Sequence, residues 1–316
     1  MPLKEKTLIE RIRKRSSSAP PIVTGIGDDT AVLRIPHGHE ALITTDFSLE
    51  GVHFRREWHP AEVVGHRCLT RGLSDIAAMG GKPIAAFLSL AIPGSLPQSW
   101  VDNFLRGLLK LADKSRVPLA GGDTAQSPNG VLADIVVLGS APRGRAILRS
   151  GAKPGDQIYV TGELGGSAAA LNLLFSGRTL RHHDYPHHFC PTPRLEVGQF
   201  LSAHKIASAM IDISDGLSTD LTHICEESAV GAHIEADSIP LARIGRPTRP
   251  VDLKSALHGG DDYELLFTAP RHKRVPSRIA AVPITQIGHI NKSKRIVLSK
   301  AGTETELKPQ GWQHFQ

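Results

Sequence analysis

The sequence is short of aromatic residues, which make up 5% of it, and short of cysteine, of which it has three. Without aromatics interleaved among basic residues there is no stacking platform for single-stranded nucleic acid. Cys68, Cys190 and Cys225 are odd in number, widely spaced and contain no CxxC pair, which excludes a disulfide framework and points to a reducing cytoplasm. Long apolar runs are missing as well. The longest, Ile84 to Pro93, is about half of what a membrane-spanning helix needs and ends in Pro93-Gly94, so no membrane partner is expected. The stretch Met1 to Arg15 reads as a short helix with Leu8 and Ile12 on one face. It lacks the apolar core of a secretory signal, and Glu5 and Glu10 count against a mitochondrial one. Charge of one sign is not concentrated either: the net charge of +6 suits anionic ligands, but its carriers are scattered. The one modest cluster, Arg271 to Arg278, reads as a solvated face, and no nucleic-acid partner is expected.

What is present is a soluble globular composition, 40% apolar and 22% charged, over 316 residues, a length that suggests two domains. Aspartate beside glycine recurs at the edges of apolar segments. Gly25-Ile26-Gly27-Asp28-Asp29 is echoed at Thr44-Thr45-Asp46, Leu73-Ser74-Asp75, Gly121-Gly122-Asp123, Asp212-Ile213-Ser214-Asp215-Gly216 and Gly259-Gly260-Asp261-Asp262, six acidic turns in all. One such turn is ordinary loop chemistry, because Asp and Gly suit tight turns. Six that met in space would repel one another and would have to protonate or bind cations. Mg²⁺ held by carboxylate oxygens and bridging to phosphates is the natural answer.

Between these turns the pattern alternates. Ala31 to Ile35 and Ala41 to Thr45 read as strands turned by Pro36-His37-Gly38, Pro60 to Met79 as a helix stopped by Gly80-Gly81, and Ala85 to Ile92 as a buried strand. Gln98 to Lys114 reads as an amphipathic helix and Val131 to Gly139 as a strand, so the first domain is mixed α/β over residues 1–142. Arg143 to Asp156 reads as a linker opening a second domain over 143–316. There, strand Gln157 to Thr161 runs through Gly162 to Ser167 into a helix to Phe175, a glycine turn that could seat an anion on free amides. No lysine follows the last glycine, so it is not a Walker loop. Ser176 to Pro193 reads as irregular, with the pairs His182-His183 and His187-His188 exposed on a loop. Helices at Arg194 to Ala203 and Ser218 to Ser228 flank the strand Ala209 to Ile213. Leu265 to Thr268 and Thr285 to Gly288 read as strands, and Trp312 to Phe315 as an aromatic tail.

Taken in order, these motifs resemble the thiamine-monophosphate kinases, relatives of aminoimidazole ribonucleotide synthetase and selenophosphate synthetase. Glu50-Gly51-Val52-His53-Phe54, Arg149 to Asp156 and Gly260-Asp261-Asp262-Tyr263-Glu264-Leu265 add to the likeness, which runs nearly end to end. The resemblance implies an ATP-dependent transfer onto thiamine monophosphate, giving thiamine diphosphate in the last step of making that cofactor. It further implies several Mg²⁺ ions, direct in-line transfer without a phosphoenzyme, and a homodimer whose amino-terminal domains pair into a β-barrel, with a carboxy-terminal α/β sandwich. Carried over by position, Asp28, Asp29, Asp46, Asp75, Asp123, Asp212 and Asp215 resemble metal ligands, with Thr44 and Thr45 as neighbouring oxygen donors. Gly122, Asp123, Arg149 and Ser214 resemble the ATP contacts, and His53, Glu264 and Trp312 the acceptor contacts. Asp28 and Asp262 suit a turn or helix cap equally well. A phosphate acceptor is already anionic, so no acid or base residue is assigned. Aminoimidazole ribonucleotide synthetase is the runner-up within the superfamily, and a regulatory module that binds Mg-ATP without turnover is the alternative from another class.

Overall fold

The computed structural model describes residues 5–15, 21–27 and 30–312. They fall into two compact units, Met1–Ile76 with Gly81–Gly144, and Ala77–Gly80 with Arg145–Gln316.

In the first unit, α1 (Glu5–Arg15), β1 (Ile22–Thr24) and β2 (Val32–Leu33) precede β3 (His39–Leu49), α2 (Ala61–Ala78) and β4 (Lys82–Pro93). α3 (Gln98–Ser115), β5 (Leu119–Ser127) and β6 (Leu132–Pro142) follow. One sheet has the order β3-β6-β4-β5, antiparallel except for the β4/β5 pair. Val64, Cys68, Leu69, Leu73 and Ile76 give α2 a buried stripe at helical spacing, and α2 lies on the face of the sheet that carries Ile135 and Val137. The opposite face stays open, with Ile43 72% and Phe47 55% exposed.

One expectation changes here. The hairpin through Pro36 to Gly38 does not form: β2 pairs with β1, while β3 pairs with β6 from His39↔Pro142 to Leu49↔Leu132. The ladder to β6 pairs β3 along all eleven of its residues, which a local turn between short strands could not. Among the described residues this sheet is open, with β3 and β5 at its edges.

The second unit contains β7 (Gln157–Thr161), α4 (Gly166–Phe175), α5 (Pro186–Phe189), α6 (Leu195–Ala203), β8 (Ala209–Ile213), α7 (Leu217–Glu227) and β9 (Gly231–Glu235). β10 (Arg243–Ile244), β11 (Arg249–Pro250), α8 (Leu253–His258), β12 (Glu264–Ala269) and β13 (Arg278–Ile279) come next. β14 (Val282–Asn291), β15 (Ile296–Lys300) and β16 (Thr303–Glu306) end it. The main sheet runs β16-β15-β9-β14-β7-β12-β8, with β13 paired to β14. Ile158, Val160, Ile211, Leu266, Ile287 and Ile290 form its core with Leu217, Leu221 and Ile224 of α7. Every residue of β8 and β12 is buried, so these strands read as largely apolar without alternation, Asp212 and Glu264 being buried with the rest. The edge strand β16, Thr303-Glu304-Thr305-Glu306, is exposed throughout, and its charges guard an edge that would otherwise invite pairing. The stretch read as a linker is built into this unit: Ile147 and Ala152 are buried, and buried Asp156 accepts from Ser208 Oγ at 2.7 Å.

Candidate active site

Three of the six acidic motifs are not turns. Thr44-Thr45-Asp46 is the middle of β3, Asp75 lies inside α2, and Gly121-Gly122-Asp123 runs along β5. Alternation along β3 then sorts the side chains. Thr44 and Asp46 share the face that α2 covers, and Thr44 Oγ1 donates to Asp75 Oδ2. Thr45 points the other way and donates to Asp134 Oδ1 at 2.7 Å. Register places Asp134, Ser89 and Asp123 in one row across β6, β4 and β5. Two adjacent glycines are tolerated in β5 because φ at Gly122 is +147° and a Cβ there would lie 1.8 Å from the Leu88 carbonyl oxygen. Gly25, Gly27, Thr30, Leu88, Gly122 and Asp123 are among the residues lining a cavity of 510 Å³, so the first and fourth acidic motifs meet at its walls. Asp28 and Asp29 lie outside the described residues. His53 is half-buried just beyond β3, its Nδ1 accepting the Leu49 N–H at 3.0 Å. Burial pushes the Cys68 thiol up to about 12, so it offers no thiolate near neutrality.

In the second unit β8 delivers Asp212, 4% exposed, to the mouth of a tight turn. Gly216 caps α7 with φ +113°, a value that favours glycine. Asp220, one turn into α7, accepts the Asp215 and Gly216 N–H groups on Oδ2 at 3.2 and 3.0 Å. Burial, reinforced by Asp212 and Asp215, holds its carboxyl well above the usual range. Asp215, Asp220 and His223 each offer a ligand atom, all within 4.8 Å of one another. The Ser214 carbonyl accepts from Asp261 N–H at 2.8 Å, and the Asp215 carbonyl accepts from Trp312 N–H at 3.2 Å. Trp312 is thereby brought beside the turn with its side chain largely exposed. Residues 313–315 of the expected aromatic tail lie outside the described residues. Arg149 is exposed, and its carbonyl accepts from Ser228 Oγ at 3.2 Å.

The glycine turn before α4 is not a vacant anion seat. Asp262 accepts the Gly165 N–H at 2.7 Å and the Ser167 N–H at 3.4 Å, so a carboxyl group of the chain itself occupies the helix start. Burial pushes its carboxyl up to about 8, although the two amides pull the other way. Glu264 is 2% exposed and forked by Arg194, with Nε 2.6 Å from Oε2 and Nη2 on Oε1, while Thr161 Oγ1 donates to Oε2 at 2.5 Å. Sequence reasoning missed Asp134, Arg194, Asp220 and His223. The last two had a signal, three residues apart in an expected helix and close after the Asp215 turn. Asp134 had none, because only strand register reveals it.

The donors in both units are dominated by carboxylate and hydroxyl oxygens, which suit a hard cation such as Mg²⁺. Residues 27–141 match the family model of the AIR synthase related protein N-terminal domain, and residues 153–300 match the corresponding C-terminal domain. The chain is 39% identical to thiamine-monophosphate kinase of Salmonella typhimurium over 98% of both chains. The crystal structure of thiamine-monophosphate kinase from Stenotrophomonas maltophilia superposes with a TM-score of 0.84 at 36% identity, over 96% of this chain and 99% of the other. A structure of AaThiL complexed with AMPPCP and TMP superposes with a TM-score of 0.78 at 30% identity, over 99% of each chain.

Proposed function

The chain belongs to the thiamine-monophosphate kinase family, and on that premise we propose that it transfers the γ-phosphoryl group of ATP to thiamine monophosphate, giving thiamine diphosphate and ADP. The observation that carries this reading is the full-length likeness to a relative solved with an ATP analogue and TMP.

The first domain, residues 1–142, supplies Asp28, Asp29, Thr44, Thr45, Asp46, Asp75 and Asp123 as oxygen donors for several Mg²⁺ ions, and residues 143–316 supply Asp212 and Asp215. Bound there, Mg²⁺ screens the repulsion between two phosphate compounds that must meet. Gly122, next to Asp123 on β5, is a further ATP contact through its backbone. The Arg149 guanidinium, exposed and permanently charged, forks onto phosphate oxygens, with Ser214 as a further contact. His53, Glu264 and the Trp312 ring receive the thiamine part, the ring by stacking on its cationic thiazolium. Glu264 brings a carboxylate already compensated by Arg194, so it orients the acceptor more than it attracts it. The acceptor phosphate attacks in line without a phosphoenzyme, and no side chain needs to remove a proton from it.

The open face of the first sheet, with Ile43 and Phe47 exposed, supports a homodimer in which two such sheets close a barrel. A cytoplasmic setting accords with three free cysteines. The deciding assay incubates the purified chain with ATP, Mg²⁺ and thiamine monophosphate and detects thiamine diphosphate by its fluorescence after oxidation. No product from a folded sample overturns the reading and favours a module that holds Mg-ATP without turnover.

A further inference from the structure

No step of the phosphoryl transfer calls on Asp220, yet its carboxylate is 1% exposed beside Asp212 and Asp215, which repel it. An apolar residue would sit there at lower cost unless something needs an acceptor in that place. The hydrogen bonds say what does. Oδ2 takes the N–H groups of both Asp215 and Gly216, so the amide on one side of Asp215 and the next amide along are tied to α7. The Asp215 carbonyl is tied from outside by the Trp312 N–H, while the Gly311 N–H donates to Thr219 Oγ1 at 3.1 Å. A Cβ on Gly311 would lie 1.9 Å from the Asp215 carbonyl oxygen, so this seat admits the tail only as glycine.

We propose that Asp220 is a positioning residue which, together with the tail 310–312, clamps Asp215 on both sides and presents its carboxylate and the Trp312 ring as one rigid piece. The proposal rests on the reading that Asp215 holds a metal and Trp312 meets the acceptor. It adds that the two are coupled: loosening the Asp215 turn weakens the metal and displaces the tryptophan together, because the same peptide groups set both.

The test measures Mn²⁺ binding by EPR in the presence of a non-hydrolysable ATP analogue, which needs no turnover. Removing a group that orients a metal ligand costs about 10-fold in metal affinity, the loss expected for Asp220→Ala. Asp220→Asn keeps a carboxamide oxygen able to accept both N–H groups and should recover most of that loss. Asparagine as weak as alanine overturns the proposal, because it would mean that Asp220 acts through its charge or as a ligand itself. Unchanged binding in Asp220→Ala overturns it too. Should Asp220→Ala fail to fold, Gly311→Ala decides: the added methyl lifts the tail off Asp215, and Mn²⁺ binding as tight as in the parent chain sinks the clamp. A parent chain that binds Mn²⁺ but forms no thiamine diphosphate counts against the proposed function alone. A parent that forms product, with binding unmoved by these changes, counts against the clamp alone.

Discussion

The two units hold their carboxylates in different ways. In the first, Asp46 and Asp123 sit on strands whose ladders fix them: β3 is paired along its whole length with β6, and β5 with β4, and Asp123 Oδ1 accepts the adjacent Thr124 N–H at 2.8 Å within its own strand. In the second, Asp220, Asp262 and Glu264 are buried and spend their oxygens on backbone amides or on Arg194. The contrast teaches that a carboxylate can be placed by the strand that carries it, or by donors from distant elements that make it part of the framework as well as of a site. Asp215 lies between the two cases, its side chain presented by a turn that other groups hold.

Replacing the ladder-held residues should separate activity from stability most sharply. Asp46→Asn or Asp123→Asn is expected to lower turnover on the order of 100-fold or more, because each removes charge stabilisation at the transferring phosphates. Cooperative unfolding in urea should stay near that of the parent. Equal turnover in both variants would put these carboxylates outside the site, and a matching loss of stability would erase the contrast. Glu264→Ala should do the reverse first. It strands the Arg194 guanidinium, only 19% exposed, and a buried pair broken from one side typically costs about 3–5 kcal/mol, readable as a lower urea midpoint.

Asp262 offers a subtler check through pH. Its carboxyl is raised from 3.8 to about 8 in the folded chain, so folding favours the protonated form. That contribution is fully present below the unfolded value and is lost as pH rises through the folded one, so stability should decline between about pH 4 and pH 8. Asp262→Asn cannot titrate; its single amide oxygen keeps the Gly165 N–H and gives up the longer Ser167 bond, and the variant should flatten this decline in thermal unfolding measured across the range. An unchanged slope would show that Asp262 is ionised in the folded chain. The smallest expected effect is that of Trp312→Ala, a several-fold rise in the KM for thiamine monophosphate with less change for ATP, since a stacked cation is worth about 1 kcal/mol at an exposed site. Equal rises for both substrates would mean that the tail only packs.

Legibility in the sequence followed the range of the interactions. The helix expected over Gln98 to Lys114 is found at Gln98–Ser115, and the strand Ala209 to Ile213 is found at those limits. Periodicity and the flanking glycines and prolines are local signals, which survive without tertiary help. The hairpin at Pro36 failed because β3 found a longer partner about a hundred residues away in sequence, a competition no local window contains. The glycine turn at Gly162 to Ser167 was misread as a free anion seat for a similar reason: its occupant, Asp262, comes from a segment 97 residues further on. Thr44 and Asp75 were both marked as donors, but their contact joins a strand to a helix and was not foreseen.

The order of aspartate-bearing motifs was enough, without coordinates, to place the chain among enzymes that move phosphoryl groups between small anions. Hard oxygen donors repeated at glycine-flanked sites serve such chemistry, and the sequence writes them out directly. Which of those donors remain available, and which are consumed in holding the chain together, was decided by folding alone. Strand register and buried hydrogen bonds join residues far apart along the chain, and a carboxylate oxygen that has accepted an internal N–H has less left to offer a metal or a substrate.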